Sequence, residues 1–323
     1  YSDIGITKAW DTKTGNSADI NLLLINLLNV AGIKSTPILL STRQHGLVTP
    51  AYPFIYQFNT VMAYVALQGK IFVLDATDKF INYKLIPEPV ANTKGFLMEG
   101  EDGKWKDLLS GKYKYREMTA VQGEIDSAGN FKGTGLVNSY DYARLERCQS
   151  WATDKNKFKE EYFSKPYPSV HIQDFSINNV DADSLQLEQK VNFTSSLNKS
   201  GGYSYFSVNL FSNLETNPFI AEKRISDIGF GVPQLYTIFG NYSIPPGFSF
   251  DGLPENISMS TPDHDIEFNR ISKAEDNLLN VRVTVEFKRS FYPASDYGIV
   301  KEFYKKMIDK LAEQVVIKKN STP

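Results

Sequence analysis

The strongest constraint on the fold is a change of hydrophobic rhythm part-way along the chain. Between residues 17 and 31 the apolar positions Ile20, Leu23, Leu24, Leu27, Leu28 and Ala31 recur at i, i+3, i+4 and i+7, the spacing that lines one face of an α-helix. Asn16 and Ser17 are both N-cap residue types, Asp19 puts a negative charge in the first turn, and Gly32 suits the left-handed residue that ends a helix. Strand signals follow at Thr36 to Ser41. After a proline- and glycine-punctuated loop over 44–57, the apolar strands Phe58 to Leu67 and Lys70 to Asp75 are joined through Gln68-Gly69 as a hairpin. Beyond residue 116 the helical rhythm gives way to short β-type segments broken by Gly, Asn, Asp and Ser. They include Val121 to Ile125 and Phe131 to Val137 around the turn Asp126 to Asn130, then Ser184 to Phe193 and Tyr203 to Phe211. Helical cover is expected near Lys155 to Phe163 and over the last twenty residues, where Ile299, Phe303, Met307, Ile308 and Leu311 form an apolar stripe opposite lysines. The expected class is α+β, in two domains. Residues 1–115 combine a helix with an antiparallel sheet; residues 116–323 form a mainly β, sandwich-like domain with a C-terminal helix.

Composition narrows the chemistry. With 41% hydrophobic and 22% charged residues, 323 residues can bury one or two cores unaided. One cysteine and three histidines exclude a disulfide framework and a Cys/His zinc site, which needs four converging ligands. A formal net charge of −2 supplies no basic field for nucleic acid. The run Leu22 to Ile33 is broken by Asn26 and Asn29 and falls short of the ~20 residues of a membrane span. No cofactor and no metal are expected. The cluster Asp263-His264-Asp265-Ile266-Glu267 reads as alternating charge on a solvent-facing strand, and Cys148 as a small hydrophobe. The start, YSDIGITKAW, carries no leader pattern and reads as the beginning of a processed piece.

Three segments carry a family resemblance: GNSADINLLLINLLNVAGIKSTPILLSTRQHG (residues 15–46), FNTVMAYV (58–65) and FVLDATD (72–78). In this order and spacing they resemble the transglutaminase-like superfamily, whose papain-like core sets a cysteine at a helix start, a histidine on a strand and an acid on the next. The resemblance covers most of residues 11–90. Where that family has its cysteine this chain has Ser17, and where it has its histidine, Thr60; the acid position is Asp75. With Gln68-Gly69 as a two-residue turn, Asp75 lies opposite Met62 and Thr60 is its diagonal neighbour on the same face. A helix N-terminus helps a cysteine become a thiolate, but a serine there needs a general base, and threonine is not one. The segments 223–257 and 290–319 resemble the C-terminal β domain of unknown function that follows such a core in envelope proteins of Bacteroides-type bacteria. The core's first helix is then only partial, and the resemblance implies an upstream β domain in the full-length protein and an extracytoplasmic location, periplasm or cell surface.

These readings imply a catalytically inactive transglutaminase-like protein acting as a binding or assembly module of the cell envelope. Ser17 is then an N-cap and Asp75 a structural acid satisfying Thr60, Thr77 or a backbone amide. The expected partner is a peptide, a glycan or an envelope protein, contacted by His45, Tyr52, Phe54, Tyr56 and Asn59, because tyrosines combine large contact area with polar edges. An alternative is a hydrolase or amide transferase with Ser17 as nucleophile, His45 as recruited base and Asp75 as orienter. Another is a structural spacer.

Overall fold

The computed structural model describes residues 2–52 and 54–320. The chain divides into two compact units, Tyr1–Tyr113 and Lys114–Pro323. Both are α+β, the second mainly β. No helix among the described residues is long and apolar enough to cross a membrane.

The first unit contains α1 (Ile6–Thr12), α2 (Ser17–Val30), β1 (Ser35–Leu40), β2 (Thr60–Leu67), β3 (Lys70–Leu74), β4 (Thr93–Leu97) and β5 (Lys104–Leu108). Its five strands form one antiparallel sheet in the order β3-β2-β1-β4-β5. The β2–β3 hairpin turns on Gln68 and Gly69, whose φ values of 50° and 74° are the paired positive angles of a tight two-residue turn. The ladder runs from Leu67↔Lys70 to Ala63↔Leu74. Ile38, Leu40, Met62, Tyr64, Val73 and Leu97 make the core. The buried face of α2 differs from the leucine stripe. Ala18, Asn21 and Ile25 are buried, whereas Leu27 is 46% exposed, because the face bearing Asn21 is the one hydrogen-bonded to β2.

In the second unit the elements are β6 (Tyr115–Ile125), β7 (Asn130–Tyr140), α3 (Asp141–Thr153), α4 (Lys155–Lys159), β8 (Val170–Asn178), β9 (Leu187–Ser196), β10 (Asn198–Ser200) and β11 (Tyr203–Ser207). They continue as β12 (Ile228–Gly229), β13 (Gln234–Ser243), β14 (Phe248–Gly252), β15 (Ile257–Ser260), β16 (Ile266–Glu275), β17 (Leu278–Phe287), β18 (Phe291–Tyr292), α5 (Tyr297–Leu311) and β19 (Gln314–Lys319). An eight-stranded sheet has the order β15-β16-β17-β13-β6-β7-β9-β8, with only β13 and β6 parallel. A four-stranded sheet has the order β10-β11-β19-β14, and β12 pairs with β18. One apolar core joins the inward faces, including Phe131, Phe193, Tyr242 and Phe287 of the large sheet, Phe206 and Ile317 of the small one, and Phe303 and Met307 of α5.

One helix lies outside the sequence reading, and two local expectations need correction. The stretch after Tyr140 is a helix, α3, which buries Arg144, Arg147 and Cys148 along with Ala143 and Leu145. Its charged residues face inward, so no apolar stripe betrays it. The last twenty residues are not all helical: after Leu311, alternating Val315 and Ile317 turn inward and β19 pairs with β11 and β14. His264 sits in a turn at φ 55° between β15 and β16, not on a strand.

Candidate functional site

The helix start is set by side-chain chemistry. Asn16, not Ser17, is the N-cap of α2: its Oδ1 accepts from the Asp19 amide at 2.9 Å, and the Asp19 carboxylate accepts from the Asn16 amide at 3.1 Å, closing a capping box. Ser17 is therefore the first helical residue, and it is half-buried. Asp19 is fully shielded from solvent and does a second task. It accepts from the Ser2 hydroxyl and from the amides of Asp3 (3.1 Å) and Gly5 (3.0 Å), tying the chain ahead of α1 to the start of α2.

The Ser2 hydroxyl foremost, with the amides of Asn16, Ile4 and Gly5, holds the Asp19 carboxyl at about 2, against the burial that would raise it. A carboxylate whose folded value lies below its ordinary 3.8 contributes stability in full above about pH 4, and that contribution is lost as pH falls toward 2. Amide-exchange protection at residues 3–5 is accordingly expected to persist at pH 5 and to disappear between pH 4 and 2. In Asp19→Ala it is expected to be absent at neutral pH, and unchanged protection there would contradict this tether.

Asp75 directly follows β3, and extending the observed ladder by one pair sets it opposite Met62. Thr60 opens β2, pairs with Leu40 of β1 and shares the face of Met62, two residues on. The Asp75 Oδ1 accepts from the Thr77 amide at 3.0 Å and from Asn21 Nδ2 at 3.0 Å. Asn21 is fully buried; the same Nδ2 donates to the Val61 carbonyl at 3.0 Å, and its Oδ1 accepts from the Ala76 amide at 2.9 Å. Residues 17 and 21 are one helical turn apart, so Ser17 and Asn21 share a face of α2. Asn21 thus ties α2, which Ser17 opens, to Asp75 and the end of β3. In the sequence Asn21 reads only as a polar interruption among leucines. Its signal was its i+4 offset from Ser17.

The remaining expected residues lie on the loop between β1 and β2. His45 is exposed, and its Nε2 is 3.2 Å from the Tyr56 carbonyl oxygen. No hydrogen bond joins His45 to Ser17 among the described residues. Tyr52, Phe54 and Tyr56 are exposed, at 74%, 55% and 76%. Asn59 clasps Thr42, accepting from its amide and donating to its hydroxyl at 2.9 Å each, which closes the base of the loop. Arg43 anchors the same base through the Ala91 carbonyl at 2.9 Å and the Glu88 carboxylate.

A family profile described as "Domain of Unknown Function with solved-structure structure (DUF3858)" matches residues 202–317, within the second unit. No curated protein matches the sequence. A crystal structure from Parabacteroides distasonis ATCC 8503, described as a "putative protease", superposes with a TM-score of 0.54 over 97% of this chain, at 11% sequence identity. This chain spans 46% of that one. At that identity the likeness is one of fold.

Proposed function

We propose that this chain is a catalytically inactive transglutaminase-like protein, acting as a peptide- or glycan-binding or assembly module of a bacterial cell envelope outside the cytoplasm. The observation that carries the reading is the bonding of Asp75. Its carboxylate serves the Asn21 amide and a backbone N–H, while the neighbouring position is threonine and no hydrogen bond joins Ser17 to a histidine among the described residues. An alcohol cannot be activated without a base in reach. The three exposed aromatic residues of the β1–β2 loop offer the contact surface.

The test restores the missing groups. Cys148 is the single cysteine and is buried, so thiol labelling of the wild type starts from a low background. In the double variant Ser17→Cys/Thr60→His, iodoacetamide is expected to alkylate position 17 at neutral pH about tenfold or more faster than in Ser17→Cys alone, as a histidine near the acid stabilises a thiolate. Equal rates would count against the transglutaminase-like arrangement. Labelling of wild-type Ser17 by a fluorophosphonate would count against inactivity and favour the hydrolase reading.

A further inference from the structure

The outward face of the eight-stranded sheet carries two adjacent rows of side chains that fall in register across the strands. One row is Asn280, Asn241, Gln122, Thr134 and Asn192, running from β17 through β13, β6 and β7 to β9. The next, two residues along each strand, is Arg282, Phe239, Ala120, Leu136 and Lys190. Together, Asn192 apart, they line a depression of about 880 Å³, within the size of small-ligand sites.

The core below the depression is tightly built. The inward-facing positions beside these rows include Gly123, Gly135 and Gly240, and a Cβ there would collide with Phe131, Phe211 and Tyr242 respectively. The sheet lies close over those rings where side chains are missing.

The polar row is already oriented. Asn241 Nδ2 donates to Asn280 Oδ1 at 2.8 Å and Thr134 Oγ1 to Asn192 Oδ1 at 2.9 Å. Those two bonds do not use Asn280 Nδ2, Asn241 Oδ1 or Asn192 Nδ2, and Gln122 between them is exposed, so amide donors and acceptors repeat at the ~4.8 Å strand separation. In the second row the exposed Phe239 ring has the Arg282 guanidinium 5.6 Å from its centroid. Ala120 and Leu136 continue the apolar floor. Arg282 and Lys190 stand at its two ends, about 19 Å apart along four strand spacings, and neither makes an ion pair among the described residues. Lys273, paired with Glu275 at 2.5 Å, and Glu188 are also on the rim, and the lining is net positive in a chain of net charge −2.

We propose that this face binds an acidic oligosaccharide. Linked pyranose rings present hydroxyls that match alternating amide donors and acceptors, apolar ring faces that stack on Phe239, and carboxylates that pair with Arg282 and Lys190. A peptide strand would gain less, because the backbone groups of these central strands are spent in the ladder. A nucleic acid would need a denser row of cations. The site lies wholly in the second unit and does not depend on the reading of Ser17, Thr60 and Asp75.

Calorimetric titration of the full chain with tetrasaccharides of galacturonic, mannuronic and glucuronic acid tests it, beside their methyl-esterified forms and a glutamate decapeptide. At least one acidic tetrasaccharide is expected to bind, its ester about tenfold more weakly. Phe239→Ala and Arg282→Gln, both on the solvent side of the sheet, are each expected to weaken it about tenfold or more, and Lys305→Gln, on the exposed side of α5, to leave it unchanged. The proposal is overturned if no acidic tetrasaccharide binds, if both sheet variants bind like wild type, or if the decapeptide binds as tightly. Loss in Tyr56→Ala with retention in both sheet variants would move binding to the loop of the first unit and also overturn it.

Discussion

Replacing Arg147 by methionine is expected to lower the unfolding free energy of the second unit by about 3–5 kcal/mol, the cost of removing one partner from a buried ion pair. Arg147 is fully buried on α3 and makes two parallel bonds to the Glu117 carboxylate of β6, both at 2.8 Å. Its third nitrogen donates to Gln189 Oε1 of β9 at 2.8 Å, and Gln189 in turn donates to the Val137 carbonyl and the Ser139 hydroxyl of β7. The guanidinium also lies 4.2 Å from the centroid of the Tyr162 ring. One side chain therefore fastens a helix to three strands, and its loss strands the Glu117 charge in the core. The double variant Glu117→Leu/Arg147→Met is expected to recover much of the deficit, because the pair's desolvation cost disappears with both charges. Urea unfolding of the two variants decides it. A loss below about 1 kcal/mol in Arg147→Met would mean that the carboxylate finds water or another partner.

Asn21→Ala is expected to destabilise the first unit by about 1–3 kcal/mol, since it leaves the buried Val61 carbonyl unsatisfied. The more exposed Ala76 amide loses its acceptor and the Asp75 carboxylate a donor as well. Asn21→Leu separates bonding from volume. It refills the space but restores none of the bonds, so it is expected to be as damaging as alanine. A leucine variant close to wild type would instead assign Asn21 to packing. Both are read by denaturant unfolding, with the Trp10 and Trp105 fluorescence of the first unit as probe.

The parts legible in the sequence are those with short-range physics. Gln68-Gly69 supplies positive φ at both turn positions, so the hairpin register and the diagonal relation of Thr60 to Asp75 follow from counting residues. Asp126 to Asn130 turns β6 into β7 in the same way, with Asp126 Oδ1 accepting the Ala128 and Asn130 amides. The helix α2 was legible as a helix but not in its orientation. A leucine stripe states which face is apolar, whereas a single Asn with three bonds decided which face turned inward.

The order of Ser17, Thr60 and Asp75 along the chain, their residue types and the diagonal relation of Thr60 to Asp75 were thus determined by the sequence alone, because each rests on residue identity and local spacing. Tertiary structure alone decided the rest. The parallel pairing of residues 115–124 with 234–243 joins segments that no local pattern connects. Only that pairing brings Asn241 beside Gln122 and Phe239 beside Ala120, forming the two rows of the outward face. Likewise, burying Arg147 is tolerable only where Glu117 and Gln189, from distant strands, meet it. Contacts between residues far apart in sequence depend on the whole sheet closing its hydrogen bonds over one core, and that information is not held by any single segment.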